Sequence, residues 1–428
     1  MGAPALAAFN SSLYHTLWGL AKKMTVAEYP QDYENLRHKT DFVFTVRIPR
    51  ILLTPIGIWP LDRSDSIHGD VRSVVQVGMI FVLMCFLLVP HVIYTFHDCE
   101  DLTRYMKVIA AQVFSLLGII KFWTMIFRKK RMRACLAQMQ LQYMYVECEE
   151  DRLVMKNAAK IARFFTTVYL SLCFGGALPY HMILPLLSEK VVKSDNTTQI
   201  PLPYLSNYVF FVIEDSPLYE ITFVTQIVIS TIILFINCGT NSLIASMTMH
   251  SCGMFEVVNR QLRSLFDRDK DEMKGCLRDI VRHHLKAIAF AELIETNLNA
   301  VFLTEMVGCT LIICFLEYGV IMEWEDKNMF SMVTYFLLMT WMFLNVYILS
   351  YIGDYLKRES EKVKFTSYSM PWYNYSKDVN ENLRLIMLRP LRPTCFTAAK
   401  FFDLSFHGFC EVVKTSAAYL NFLRTMTG

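Results

Sequence analysis

Charge is scarce in this sequence, and so is every signature of catalysis. Only 19% of the residues are Asp, Glu, Lys or Arg, against roughly 25% in ordinary globular chains. Hydrophobic residues make up 54%, among them 31 Phe, 21 Tyr and 24 Met. A positive mean hydropathy sustained over 428 residues excludes a string of average soluble domains and makes lipid the expected solvent. The net charge of +3 is too small for a nucleic-acid partner. There is no His-Glu-x-x-His, no Gly-rich phosphate loop and no Gly-x-Ser-x-Gly, so no enzyme, cofactor or metal is expected. His283-His284 lies in a charged segment and reads as a solvated helix face. Cys135 and Cys148, like Cys252 and Cys276, are too far apart for a metal knuckle. The 12 Cys fall mostly in apolar stretches or basic loops, which excludes a secreted disulfide scaffold. Residues 1–70 also lack the apolar core and cleavage site of a signal peptide.

What the chain has instead is long apolar runs. A membrane helix needs about 20 such residues to cross a core of about 30 Å. Four stretches meet that without a charge: Ser73 to His97, Phe164 to Ser188, Ile221 to Phe255 and Met329 to Gly353. Three more are apolar but interrupted: Val108 to Phe127 by Lys121, Ala300 to Met322 by Glu305 and Glu317, and Phe406 to Met426 by Glu411 and Lys414. Seven crossings put the termini on opposite faces. The 221–255 run would span about 52 Å as one helix, so it must tilt, break near Gly239 or continue beyond the bilayer.

Lys and Arg give the orientation. Segments 1–72, 128–160, 247–298 and 354–394 hold 8 each, whereas 97–103, 188–217, 323–328 and the tail after Leu423 hold 0, 2, 1 and 1. The amino terminus is therefore expected in the cytosol and the carboxyl terminus outside, with Arg104 and Lys107 as the local contradiction. The acceptor sequon at Asn196 falls in the external 188–217 loop and is the expected glycosylation site; those at Asn10 and Asn374 would stay inside. A G-protein-coupled receptor requires the reverse orientation, and neither an acidic-Arg-Tyr triplet after the third span nor an Asn-Pro-x-x-Tyr in the seventh is present. A transporter would show internal repeats or paired broken helices, which are missing too.

Two regions carry candidate function. In the last stretch Asp403, His407 and Glu411 recur at helical spacing with Lys414 three further on. Each such charge costs about 2.5–3.5 kcal/mol at mid-bilayer, so the stripe must face protein, cytosol or water. A short helix at Cys395 to Leu404 below the membrane, with buried ion pairs, would account for it as well. Thr415, Ala418, Phe422 and Met426 continue one face outward, which suits either a narrow pore closed by dewetting or ordinary helix packing. The second region is the outer halves of the spans, where Phe174, Tyr180 and His181, then Tyr219 and Phe223, then Tyr335 and Trp341 could wall a pocket for a small apolar ligand or simply pack. Between them, the 256–298 segment alternates charge and then reads apolar at Ile280, Leu285, Ile288 and Leu293, as amphipathic helices packing below the bilayer do.

The tail Ala399-Lys400-Phe401-Phe402, followed by Glu411-Val412-Val413-Lys414-Thr415-Ser416-Ala417-Ala418-Tyr419-Leu420-Asn421-Phe422-Leu423-Arg424, closely resembles the carboxyl-terminal signature of insect odorant receptors. The lead-in Arg47-Ile48-Pro49-Arg50 to Gly57-Ile58-Trp59-Pro60 is similar to theirs. That resemblance implies an all-α polytopic membrane protein with seven transmembrane helices, inverted topology and helices extended into a cytosolic anchor domain. It implies an odorant- or pheromone-gated nonselective cation channel subunit, forming a heterotetramer with a co-receptor in the plasma membrane of a sensory neuron dendrite. A metabotropic seven-helix chemoreceptor and a gustatory-receptor-like channel remain the alternatives. Phe422 and Met426 match the family's hydrophobic gate and Thr425 its polar neighbour; Phe422 beside Arg424 is bulkier than the usual aliphatic pattern. The family's pocket lies in the outer half of spans two, three, four and six, which favours Phe174, Tyr180, Phe223 and Tyr335 and a small volatile ligand. The segment between spans four and five is shorter than a co-receptor's, implying a ligand-tuned partner. The expected divisions are a cytosolic 1–72 with interfacial helices, spans one to four in 73–249, a cytosolic extension 250–298, spans five and six in 299–353, an anchor segment 354–405, and the pore-lining helix with a short tail in 406–428.

Overall fold

The computed structural model describes residues 35–61, 67–97, 102–187, 191–192, 198–209, 216–265, 270–374, 377–388 and 393–427. Eleven α-helices run through them: α1 His38–Leu53, α2 Ile67–His97, α3 Leu102–Phe127, α4 Lys129–Met144, α5 Glu149–Leu178, α6 Leu184–Leu187, α7 Leu218–Ser264, α8 Lys270–Glu325, α9 Met329–Tyr368, α10 Lys377–Leu388 and α11 Phe406–Thr427. A π-helical turn, Pro179–Ile183, joins α5 to α6. A 3-10 turn, Trp372–Asn374, follows α9, and there are two small antiparallel hairpins, β1 Val191–Val192 with β2 Thr198–Gln199, and β3 Thr397–Ala398 with β4 Phe402–Asp403. The architecture is that of an all-α polytopic membrane protein. Among the described residues α2, α3, α5, α7, α8 and α9 each include a window long and apolar enough to cross a membrane. The seventh expected crossing, α11, is a helix of 22 residues, but its polar stripe keeps it outside that group.

The three longest helices define the molecule. α7, α8 and α9 hold 47, 56 and 40 residues, about 70, 84 and 60 Å at 1.5 Å per residue. All far exceed a hydrocarbon core of about 30 Å, so each continues past the bilayer at its basic end. α7 is unbroken through Gly239. From Ile236 to Gly253 every residue of it is buried, enclosed by α1, α3, α4, α5, α8 and α9. A helix apolar all round is one surrounded by other helices or by lipid, and the inner half of this one is surrounded by protein. Gly239 is required there, because a Cβ would stand 2.5 Å from Leu53 Cδ2 of α1.

α1 is held by charge as well as packing. Phe42, Val46, Leu52 and Leu53 are buried, and Asp41 accepts a bidentate pair from Arg152 of α5 at 2.6 and 3.0 Å, the geometry in which an ion pair is strongest. At the same end Arg260 of α7 bonds Glu150 and Asp151 at the start of α5. Carboxylates in a first helical turn suit the macrodipole, and Cys148 Sγ accepts from the Asp151 N–H at 3.4 Å as the cap.

The stripe expectation needs correcting at its first member. Asp403 lies in β4, and the helix begins only at Phe406, so Asp403 does not share a helical face with His407 and Glu411. The chain turns at Ala399 and Lys400, both left-handed with φ of 47° and 66°. Nor is 395–404 a helix: its hairpin is fastened to α8 by Ala399 N–H to Asn299 O at 3.0 Å and Thr397 N–H to Glu295 Oε2 at 3.0 Å. Gly353 of α9 lets it seat, since a Cβ there would stand 2.5 Å from the Leu404 carbonyl oxygen. His283 and His284 also part company: His284 is buried against Phe255, while His283 approaches Glu147 at 3.1 Å.

Candidate functional site

Two of the interrupting charges on the spans meet each other. Lys121 Nζ of α3 lies 2.6 Å from Glu305 Oε2 of α8, with side chains 1% and 4% exposed. Asn241 of α7 accepts from Lys121 at 3.0 Å and donates to Glu305 Oε1 at 2.9 Å. Asn345 of α9 donates to the same oxygen at 2.6 Å and accepts from Asn241 at 2.8 Å. Four helices are thus cross-linked in apolar surroundings, where a paired and hydrogen-bonded charge is tolerable and a lone one is not. Glu317, the other interrupting acid of α8, takes the hydroxyl of Ser416 on α11 at 3.4 Å.

One to three turns farther from the basic end, the helices separate around a partly open cavity of about 60 Å³. Its wall comes from α3 (Ala110, Ala111, Phe114), α5 and the π-turn (Ala177, Tyr180, His181), α7 (Leu234), α8 (Ile312, Leu316) and α9 (Tyr335, Leu338, Trp341, Met342), with Tyr204 from the segment before α7. The aromatic rings interlock: Phe114 meets Trp341 edge-on at 5.4 Å, Tyr180 meets Tyr335 at 6.1 Å, and His181 stacks on Tyr204 at 5.2 Å. Such edge-to-face arrangements favour a fixed wall. π-turns are uncommon and concentrate at functional sites, and this one widens the helix where both Tyr180 and His181 reach the cavity.

The 198–209 segment forms a strap over it. Buried Gln226 accepts from Tyr204 N–H at 3.0 Å and donates to Tyr204 O, Ser206 Oγ and Tyr208 Oη at 3.2–3.3 Å. His91 Nδ1 lies 2.7 Å from Leu205 O, and Asn207 N–H donates to Pro90 O at 3.0 Å.

Of the aromatic residues singled out from the sequence, Tyr180 and Tyr335 line the cavity, as do His181 and Trp341. Phe174 instead packs against Phe235 at 6.3 Å. Tyr219 and Phe223 pair at 6.0 Å about three turns before Leu234, and Tyr219 donates its hydroxyl to Ile200 O at 2.7 Å. Phe114, Tyr204, Gln226 and His91 were not singled out. The only sequence signal for the strap is Pro201-Leu202-Pro203-Tyr204, where two prolines hold the chain extended.

On α11, Ala418, Phe422 and Thr425 are exposed and Thr415 is half-buried. Thr425 returns its hydroxyl to Asn421 O and Phe422 O at 3.2 and 2.7 Å. The side chain of Met426, and Asn196 and Asn10 entirely, lie outside the described residues. Between α11 and α8 runs an open groove of about 580 Å³, lined by Met306, Val307, Thr310, His407, Glu411 and Thr415 among others. At the basic end, burial and then the neighbouring Arg282 lower the Lys286 amine to about 8. Glu147 there is held below its ordinary range: burial opposes this, but the hydrogen bond and charge of His283 outweigh it.

A model of the family described as 7tm Odorant receptor matches residues 101–417. Odorant receptor 82a of Drosophila melanogaster is 23% identical over 381 residues, covering 85% of this chain and 95% of that protein. Odorant receptor 13a of the same species is 18% identical over 396 residues, covering 86% and 93%. Among solved structures, the insect olfactory receptor OR5 from Machilis hrabei in complex with eugenol superposes with a TM-score of 0.76 over 91% of this chain and 100% of that one, at 15% identity. OR5 itself matches with a TM-score of 0.73.

Proposed function

Because this chain belongs to the insect odorant receptor family, matched over residues 101–417, we propose that it is a ligand-tuned subunit of an odorant-gated cation channel. It assembles with a co-receptor in the plasma membrane of a sensory neuron, with its amino terminus in the cytosol and its carboxyl terminus outside. The basic segments support that orientation, and the divisions 1–72, 73–249, 250–298, 299–353, 354–405 and 406–428 follow it. The observation that carries the reading is the aromatic-walled cavity and the two helices it shares with α11. Ile312 and Leu316 of α8 face the cavity, while Met306 and Val307 of the same helix face α11. Trp341 and Met342 of α9 face the cavity, and Tyr347, a turn below, touches Phe406 and Phe409 of α11 at 5.9 and 5.8 Å.

A cavity of about 60 Å³ is smaller than the roughly 150 Å³ that holds a benzene ring. A small volatile ligand therefore has to spread its wall, and it binds the spread arrangement better than the closed one. That difference in affinity is what shifts a two-state equilibrium. Spreading displaces α8 and α9, and α11 moves with them. Thr415, Ala418, Phe422, Thr425 and Met426 then line the ion path, with Phe422 and Met426 as its apolar constriction, which conducts when wetted. In this reading Tyr180 and Tyr335 contact the ligand, whereas Phe174, Tyr219 and Phe223 shape the outer helices around it. Asn196 carries glycan on the outer face.

The test is current recorded from excised patches without nucleotides, from cells expressing the chain with and without an insect co-receptor. Ligand-evoked openings that need both subunits are expected. A response confined to intact cells would instead mark a metabotropic receptor.

A further inference from the structure

Two residues of the cavity wall carry a buried polar atom with no partner among the described residues. Trp341 is 3% exposed and His181 8%, both line the cavity, and among the described residues neither Trp341 Nε1 nor His181 Nδ1 has a hydrogen-bond partner. Buried polar groups are nearly always paired, and each exception needs a physical reason. The exceptions here stand out because neighbouring groups are paired with care. Gln226 makes four hydrogen bonds to the strap, and one turn below Trp341 the amide of Asn345 is bonded on both its nitrogen and its oxygen.

The two atoms differ in what they ask for. An indole N–H can only donate, so Trp341 calls for an acceptor. The imidazole can do either. Its Nε2 lies 3.4 Å from Tyr204 Oη, and whichever of the two donates there fixes the role left to Nδ1. Around them the wall is apolar, with Ala111, Phe114, Leu234, Ile312 and Met342. A hydrocarbon would fill the space and leave both atoms unsatisfied. An oxygen function would satisfy the indole, and a hydroxyl could also meet the imidazole.

We infer that this cavity selects small apolar molecules bearing an oxygen acceptor, an alcohol or a carbonyl compound, with the Trp341 N–H as the group that reads the oxygen and His181 beside it. The inference rests on the cavity being the ligand site, as proposed above.

The experiment compares medium-chain n-alkanes with the 2-ketones and primary alcohols of the same length, on cells expressing the chain with an insect co-receptor. In parallel, binding to the purified protein in nanodiscs is read by competition with a fluorescent apolar probe. Wild-type protein is expected to respond to the oxygenated series at concentrations about tenfold below the alkanes, the scale of one hydrogen bond. Trp341→Phe keeps an aromatic ring and removes the donor. It should bring the two series within about twofold of each other, chiefly by weakening the oxygenated one. The alkane arm controls for folding, since a damaged protein loses both series together. In that event His181→Gln, which keeps polar atoms beside the indole, must retain a preference for the oxygenated series. Currents without such a preference, or a preference that survives Trp341→Phe, overturn the inference and leave the channel reading standing. Preferential binding of the oxygenated series without current overturns the channel reading and leaves the inference standing. Neither binding nor current overturns both.

Discussion

One helical turn on α9 separates Trp341 from Asn345, and the two residues stand in opposite situations. Asn345 belongs to a buried cluster in which Lys121, Glu305 and Asn241 bond one another at 2.6–3.0 Å. Trp341 borders a cavity and its N–H has no partner among the described residues. Both places are desolvated, so the cost of an unpaired group is high in either. The completed cluster is a clamp, fixing α3, α7, α8 and α9 relative to one another. The Trp341 N–H is left without such a partner among the described residues, and in the reading proposed above a ligand oxygen supplies it. Polar atoms inside a membrane protein are thus informative in two ways, and their partners tell which applies.

The comparison can be broken most forcefully at the clamp. Lys121→Met or Glu305→Leu alone leaves one buried charge uncompensated and should cost about 3–5 kcal/mol, seen as a lower thermal midpoint in detergent and poor surface delivery. The double substitution removes both charges and should recover most of that loss. A double mutant as unstable as the singles would show that the pair does more than neutralise itself.

At Trp341 the expectation reverses. Trp341→Phe removes a donor that has no partner, so its effect on stability should stay within about 1 kcal/mol, measured by the same thermal midpoint. A loss as large as that at Glu305 would mean that the indole is already satisfied and that the contrast is false.

The smallest effect is expected at the basic end, where burial is partial. The Lys286 amine is lowered to about 8. Between that value and the ordinary lysine range the unfolded chain holds a proton that the folded one has lost, so this residue's contribution to stability rises with pH across that window. Lys286→Met should flatten the rise between about pH 8 and 10, compared by thermal midpoints of the two proteins. Half-exposed charge is screened, so the difference will be slight.

Much of the frame is legible in the residues. Six apolar runs become six long helices, and Lys121 and Glu305, which interrupt two of them, are the groups that clamp them together. Hydropathy fails where it cannot tell lipid from protein. The charge-free run from Ile221 to Phe255 reads as an overlong crossing, yet from Ile236 to Gly253 it is buried by other helices. Periodicity fails where a turn intervenes. Asp403 falls at helical spacing from His407, but left-handed Ala399 and Lys400 fold it into a hairpin. In the cavity, Tyr180, His181, Tyr335 and Trp341 could be named from their position near the outer ends of spans. The strap could not, because His91 and Gln226 grip it largely through the backbone of Tyr204 and Leu205, atoms that any sequence would supply.

The most direct measurement of the whole account is to fill the cavity. Ala111 lines it and is only partly buried, so Ala111→Leu adds a side chain large enough to occupy much of the roughly 60 Å³ with little strain on the helix. In cells with the co-receptor, ligand-evoked current should disappear while surface delivery remains at the wild-type level. Current with an unchanged dependence on ligand concentration would contradict the account, because the molecule that opens the channel would then be binding elsewhere.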